Sequence, residues 1–327
     1  MTHDEIVKQS IQAYKQWSKD WAANAKIHSK YKMKSFDDFR NSGIGKAVLL
    51  VANGYSFEEN LDIIKKYKDN VDIVCCDKTL GHLIDNGIIP KFCITCDAHV
   101  SYETYLKPWE DKLQGTILIN NVCGNTEWSA NGNWKDKYFY VNKDVMNYEK
   151  EFIAISGCPN VVTAGTNVSN MMVVLLTQSD NEIKQNLFYY DKMILIGYDY
   201  SWKMEGKYYA FDEKGGGKFY YMRHIYGLSM ANNIIFSSNN LSSSASWLNL
   251  YIKAYNFPIV QCGKDALQAF GRSGNLEEQI QYRHKTSDGP KVSKILRDKN
   301  KIELELKSLN NELSKIGRDH WLANLSI

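Results

Sequence analysis

No run of about eighteen apolar residues occurs anywhere in the 327-residue sequence, so no transmembrane helix is expected. The amino terminus, MTHDEIVKQSIQAYKQW, is polar and charged and has no apolar signal-peptide core. The formal charge is only +3, too small to argue by itself for nucleic acid as a partner. The dinucleotide fingerprint G-x-G-x-x-G and the Walker lysine are both missing, which leaves a Rossmann dinucleotide site and a P-loop without support. Zinc-ribbon spacing is missing too. Cys93 and Cys96 have no second pair, and both fall in a predicted strand, where side chains three apart point to opposite faces. They are expected in the core. Seven scattered cysteines suit a reducing compartment, and a cytoplasmic location is expected.

What is present is a repeating α/β pattern. Hydrophobic residues make up 44% of the chain, enough for a sizeable core. The organising stretch runs from Lys46 to His99. Val48 to Ala52 is short, branched and almost wholly apolar, as a strand buried on both faces of a parallel sheet reads. Asn53-Gly54-Tyr55-Ser56 breaks the run. Phe57 opens an amphipathic helix marked by Leu61, Ile64 and Tyr67, with Ser56 as its N-cap and Glu59 completing a capping box. A strand from Val71 to Cys75, a helix from Thr79 to Asn86 and a strand from Phe92 to Cys96 follow, the last ending on Asp97. This alternation predicts a doubly wound, mostly parallel, Rossmann-like sheet, whose ligands bind outside the carboxyl ends of the strands. Asn53-Gly54, Cys76-Asp77 and Asp97 to His99 fall there. Gly54 lets backbone N–H groups approach a ligand, and the helix start behind it favours an anion. A plain tight turn before a capped helix fits the same residues equally well.

Residues 1–45 read as a helical extension. Ile6, Ile11, Tyr14, Trp17 and Trp21 give it an apolar stripe that packs on the core or on a second subunit. Beyond Asp97 the pattern gives a short helix from Ser101 to Leu106, strands at Thr116 to Asn120 and Tyr138 to Val141, and a loop from Asn125 to Asp136. Asp144 to Ala154 carries no clear pattern. Gly165, Thr166 and Asn167 open a helix whose apolar face runs from Met171 to Leu176. They offer donors to a phosphate or carboxylate, or simply pack close to the sheet. Met193 to Gly197 is a buried strand that runs into Tyr198-Asp199-Tyr200. Glu205 to Lys218 is charged and glycine-rich, a flap over a site or a solvent loop, and His224 lies beyond it. Ser242 to Tyr255 reads as a helix and Pro258 to Cys262 as a final strand, so residues 46–271 form the α/β domain. Residues 272–327 form a helical carboxy-terminal segment. There Ile295, Ile302, Leu306, Leu309, Leu313 and Ile316 keep near-heptad spacing, suited to packing on the domain or to a coiled-coil contact in a homo-oligomer. Arg283 to Lys301 is locally basic and reads as a solvated face.

Four stretches carry a resemblance to a known family. VANGYSF at 51–57 stands where the family has a strand followed by G-x-G-P-S-L. Asp77 with GHLIDNGIIPKFCITCD at 81–97 is similar to its pattern of leucine, glycine-isoleucine-x-proline, strand and aspartate. ILIGYDYSW at 194–202 resembles a strand followed by glycine-glutamine-aspartate-leucine. NLSSSASWLNLYIKAYNFPIVQCGKDALQAFG at 240–271 resembles the end of the family's catalytic domain. The family joins the motility accessory factor glycosyltransferases, which modify flagellin with nonulosonic acids, to the archaeal 6-hydroxymethyl-dihydropterin pyrophosphokinases. The resemblance implies a fold like that of the bacterial sialyltransferases. Tyr55 replaces the family's proline, Phe57 its leucine and Tyr198 its glutamine, and Tyr209 stands where the flagellin enzymes tend to have histidine. The pyrophosphokinases carry paired aspartates at the third strand; here the sequence is Asp97-Ala98-His99.

The expected function is a glycosyltransferase using a nucleotide-activated sugar. Asn53, Gly54 and Ser56 are expected to hold the nucleotide phosphate, with Asp77 beside them. Gly165, Thr166 and Asn167 are expected to meet the donor's anionic groups. Asp97 and His99 lie near the sugar or phosphate and remain able to hold a divalent ion, Mg²⁺ or Mn²⁺. Asp199 or His224 is the candidate base for the acceptor hydroxyl, and Tyr198 or Tyr209 the donor of a hydrogen bond to the leaving phosphate. The acceptor is left open among protein, glycan, lipid-linked sugar and modified nucleic acid. Two other expectations stand beside this one: a pterin pyrophosphokinase using ATP and magnesium, and a non-catalytic nucleotide-binding or assembly protein that works through its terminal helices.

Overall fold

The computed structural model describes residues 3–143, 146–177, 187–202, 209–212, 224–229, 231–255, 257–267 and 270–281. The chain divides into two compact units, residues 1–283 and 284–327, and the described residues all belong to the first. The near-heptad stretch and the basic run up to Lys301 lie outside the described residues, as does most of the glycine-rich stretch after Glu205.

The strands, in chain order, are β1 (Ala47–Val51), β2 (Asp72–Cys76), β3 (Phe92–Thr95), β4 (Ile117–Asn121), β5 (Asp136–Lys143), β6 (Val161–Thr163), β7 (Lys192–Ile196), β8 (His224–Leu228), β9 (Ile234–Ser238), β10 (Ile259–Gln261) and β11 (Arg272–Ser273). Among the described residues nine of them form one sheet in the order β11-β10-β7-β1-β2-β3-β4-β5-β6. Every pairing in it is parallel. The remaining two, β8 and β9, form a separate antiparallel ribbon. The α/β class and the doubly wound topology are thus as expected.

Alternation along each strand divides the core in two. Val48 and Leu50 of β1 join one hydrophobic cluster, and Leu49 and Val51 join the other. Cys93 faces one cluster and Cys96 packs against the other, so the CxxC pair straddles the sheet as two core cysteines.

The helices, in chain order, are α1 (His3–His28), α2 (Tyr55–Glu59), α3 (Leu61–Tyr67), α4 (Asp77–Asp85), α5 (Tyr102–Tyr105), α6 (Thr126–Ala130), α7 (Glu149–Ser156), α8 (Val168–Thr177), α9 (Asn239–Tyr255) and α10 (Leu276–Gln281). None of the described helices is long and apolar enough to cross a membrane. Helix α8 lies on β1, β2 and β3, and it is buried all round from Asn170 to Thr177, as its unbroken apolar sequence demands.

Three local expectations fail for identifiable reasons. The single helix expected from Phe57 is two, because Asn60 leaves helical geometry at φ −114°, ψ 10° while its side chain donates to the Ser56 carbonyl at 2.8 Å. The loop expected from Asn125 contains α6, which Asn125 caps by accepting from the Glu127 N–H at 2.8 Å. Strands β6 and β11 are too short to leave a periodic trace.

Helix α1 packs on its own chain, in a third cluster with Phe139, Val141 and Phe152. His28 at its carboxyl end is fully buried. Its Nδ1 donates to the Val122 carbonyl at 2.8 Å, so Nε2 accepts from the Ser129 hydroxyl at 3.0 Å. Burial holds the imidazole below its ordinary value and keeps it neutral. Replacing it with leucine is expected to cost about 2 kcal/mol, because the Val122 carbonyl loses the ring N–H and the Ser129 hydroxyl, which still accepts from Asn120, loses its acceptor. Urea midpoints of the two proteins at neutral pH check this; equal midpoints would mean that water replaces the ring.

Candidate active site

The chain winds outward from β1 to β6, then returns to place β7 on the other side of β1. Crossovers therefore leave β1 and β7 in opposite directions, and the crevice at their carboxyl ends is the switch point where open α/β sheets bind ligands. Three turns meet there, after β1, β7 and β10.

Contact between the first two turns is close enough to exclude side chains. Gly197 has φ +75°, and a Cβ on it would lie 1.9 Å from the Ala52 carbonyl oxygen. The Gly54 N–H donates to the Gly197 carbonyl at 2.9 Å, and a Cβ on Gly54 would lie 2.3 Å from an Asp199 oxygen. Asp199 is fully buried between them. Its Oδ2 accepts from the Ser56 N–H at 2.8 Å, while Oδ1 faces Gly263 and has no hydrogen-bond partner among the described residues. Burial pushes this carboxyl up from 3.8 to about 6, against the pull of Ser56. Tyr55, which stands in place of the family's proline, is buried, and its hydroxyl donates to the Asp265 carbonyl in the third turn.

This geometry corrects the expected phosphate cradle. Helix α2 starts at Tyr55 with Gly54 as its N-cap, and the Ser56 hydroxyl makes no cap. It accepts instead from the Gly197 N–H at 2.9 Å. The N–H groups of Gly54 and Ser56 are occupied within the protein, and the Asp199 carboxylate stands where an external anion was expected. Asp199 itself is too deeply enclosed to meet an acceptor hydroxyl. Asn53 is buried beside them, and its carbonyl accepts from the Ala210 N–H at 3.1 Å.

On one face of the sheet, the turn after β7 is tied to the start of α8. Tyr198 is buried and its hydroxyl donates to the Ser169 carbonyl at 2.8 Å, so it is not presented to a leaving phosphate. The Tyr200 hydroxyl donates to the Asn170 side chain. The expected donors at this helix start are partly occupied: the Gly165 N–H points at the Met171 sulfur, and the Asn167 side chain accepts from the Asn170 N–H at 2.9 Å. Thr166 is exposed, though its hydroxyl accepts from Asn170.

Along the rim, past β1, come the ends of β2 and β3. Asp77 is buried, with one oxygen accepting from the Lys78 N–H at 2.8 Å and the other from the Thr95 hydroxyl at 3.0 Å. Desolvation nonetheless pushes it up to about 6. Asp97 is exposed and accepts from the His99 N–H at 2.9 Å. His99, also exposed, packs against Trp17 of α1 at 4.6 Å between ring centres, with its Nε2 3.9 Å from Asp20. The N-terminal helix thus reaches the rim.

A family model described as 6-hydroxymethylpterin diphosphokinase MptE-like matches residues 19–205, more than half of the chain. The chain belongs to the MptE-like family. The match takes in the rim from α1 to the turn after β7. Among solved structures, the chain is similar to the MAf glycosyltransferase from Magnetospirillum magneticum AMB-1, with a TM-score of 0.56 and 14% identity. The alignment covers 85% of this chain and 41% of that one, so this chain spans about two fifths of the larger protein's length. At that identity the likeness is one of fold. No curated protein is found to match.

In this MptE-like protein the structure brings together Asn53, Gly54, Ser56, Tyr198 and Asp199 at the switch point, with Gly165 to Asn167 joined to them through α8. Asp77, Asp97 and His99 follow along the rim. Tyr209 lies on Lys78, with the ammonium 4.6 Å from the ring centre. His224 is the first residue of β8; its side chain lies outside the described residues. Sequence reasoning passed over Gly197, Gly263, Thr95 and Lys78. The first two left a signal, since Gly197 ends one predicted strand and Gly263 directly follows another. Lys78, next to a strand-end aspartate, looked like any surface lysine.

Proposed function

We propose that this MptE-like protein is a glycosyltransferase acting on a nucleotide-activated sugar. The observation that carries the reading is the character of the rim. Of the three strand-end carboxylates Asp77, Asp97 and Asp199, only Asp97 is exposed, and His99 beside it packs on Trp17 and lies 3.9 Å from the Asp20 carboxylate. Such a rim suits a donor whose own phosphate is the charged group. Magnesium-dependent transfer from ATP relies on carboxylates presented to the ion. The likeness in fold to a protein described as a glycosyltransferase supports the same reading.

In this reading the acceptor hydroxyl attacks the anomeric carbon, the bond to the donor phosphate breaks with its electron pair, and Asp97 takes the hydroxyl proton. Asp199 acts by holding the turns after β1 and β7 in register. Asp97 is also the carboxylate within reach of a Mg²⁺ or Mn²⁺ carried by the donor, and no step depends on the ion. Among the described residues no group of three or more His, Cys, Asp or Glu side chains is placed to hold a metal by itself.

Thermal melts of the purified protein with CMP, UDP, GDP and ATP, each with and without Mg²⁺ or Mn²⁺, test the proposal. A nucleotide at about a hundred times its dissociation constant adds roughly 2.7 kcal/mol, a rise of a few degrees. CMP, UDP or GDP is expected to give that rise, and Asp97→Ala to abolish transfer while keeping it. A rise with ATP and Mg²⁺ alone favours the second reading, a pterin pyrophosphokinase, which the family's description supports. No rise with any nucleotide returns the protein to the binding or assembly class.

A further inference from the structure

Helix α1 is docked by residues other than the two that reach His99. We propose that Trp17 and Asp20 of α1, together with His99, form the subsite for a carbohydrate acceptor; this rests on the glycosyltransferase reading above. Trp17, Asp20 and Asn24 recur at helical spacing and share one face of α1. Asn24 ties that face to the turn after β4, its side chain donating to the Cys123 carbonyl at 3.1 Å. Trp17 and Asp20 meet the turn after β3, where the Trp17 ring lies 4.6 Å from that of His99 between centres. Asp97 accepts from the His99 N–H at 2.9 Å, so the subsite and the proposed base share one turn.

The helix is held without Trp17 and Asp20. Tyr14, Trp21 and Ala25 pack in the third hydrophobic cluster, and Tyr14 also stacks on Tyr148 at 3.8 Å. His28 is bonded at the carboxyl end. Trp17 belongs to none of the three clusters and is half-buried, and its ring partner is an exposed imidazole. The Asp20 and His99 side chains keep 58% and 52% of their surface and stand 3.9 Å apart, beyond hydrogen-bond reach. That gap fits one hydroxyl. An oxygen about 2.8 Å from each can accept from the imidazole N–H and donate to the carboxylate. A sugar carries such hydroxyls round its edge and C–H bonds on its face. Aromatic faces attract C–H groups through their quadrupole, and carboxylates accept hydroxyls in charge-assisted hydrogen bonds. Asp20 and Asp97 pair with no lysine or arginine among the described residues. A polyanion such as nucleic acid or an anionic lipid surface is repelled by them, and a neutral glycan is not.

NMR titration of the full chain with methyl glucoside, methyl galactoside, N-acetylglucosamine, lactose and chitobiose tests the assignment. A serine-rich peptide, a single-stranded oligonucleotide and phosphatidylglycerol vesicles are the alternatives. At least one neutral saccharide is expected to bind and to shift the Trp17 indole N–H signal, which is identified by its absence from Trp17→Phe. Trp17→Ala is expected to weaken that binding about tenfold, and Trp17→Phe to keep it within a few-fold. Asp20→Asn is expected to weaken it several-fold, and Lys112→Met, exposed before β4, to leave it unchanged. Binding of no saccharide overturns the proposal. So does saccharide binding that Trp17→Ala leaves unaltered, or a Trp17 response to the peptide, oligonucleotide or vesicles instead. Trp17-dependent saccharide binding with no response to any nucleotide upholds the subsite and removes the glycosyltransferase reading.

Discussion

Gly197→Ala is expected to destabilise the protein by on the order of 4 kcal/mol, at the upper end of single substitutions. Two costs combine. The backbone at φ +75° is open to glycine and strained for alanine, worth about 1 to 2 kcal/mol. The new methyl would also sit 1.9 Å from the Ala52 oxygen, and that atom belongs to the backbone of the turn after β1. It has no side-chain freedom with which to move away. Gly157 provides the control. It ends α7 at φ +68°, and a Cβ there meets nothing within 4 Å. Gly157→Ala should therefore show the strain alone. Urea unfolding of the two variants beside the wild type separates the contributions, and equal losses would mean that the β1 and β7 turns can part without cost.

The second large effect is a dependence on pH. Asp77 and Asp199 both hold their protons more tightly in the folded chain than in the unfolded one, at about 6 against an ordinary 3.8. Protonation therefore favours folding. The contribution of each is complete below about pH 4 and is lost as the pH rises through 6. A rise from 3.8 to about 6 corresponds to roughly 3 kcal/mol for Asp199, at 1.36 kcal/mol per pH unit. Asp199→Asn keeps an oxygen for the Ser56 N–H and removes the ionisation. Its unfolding free energy should fall less than the wild type's between pH 4 and pH 7, by about that amount. Parallel curves for the two proteins would show that Asp199 finds a partner for its second oxygen in solution.

The parts of the architecture that were legible came from burial. The runs at Val48 to Ala52, Phe92 to Cys96 and Met193 to Gly197 are apolar on both sides of the strand, and only an interior parallel sheet uses such runs. With those strands in place, the strand-end aspartates and Gly54 followed. Short elements were not legible. A three-residue strand such as β6 and a five-residue helix such as α6 leave no period to read. The site was half legible for a different reason. Sequence shows that Asp199 and Ser56 lie at strand ends, but not that they bind each other across 143 residues, which changes a pair of expected ligand contacts into one internal bond. The same blindness applies to Lys78, which meets the ring of a tyrosine more than a hundred positions away. It applies to α1 as well, whose Trp17 stripe carries no hint that it ends beside His99.

Strand order has a further consequence, for the chain as it is being made. β1 is among the first strands to leave the ribosome, yet one of its two edges is closed only by β7, with Ala47 pairing to Lys192 and Val51 to Ile196. At ordinary translation speeds that partner arrives on the order of ten seconds later. Until then the nascent sheet from β1 to β6 carries an open edge at its most apolar strand, Val48 to Val51, directly beside the turn that later holds Gly54. The switch point thus closes only after every seam from β1 to β6 has had its strands made, and chaperones that bind nascent apolar strands would find their target there.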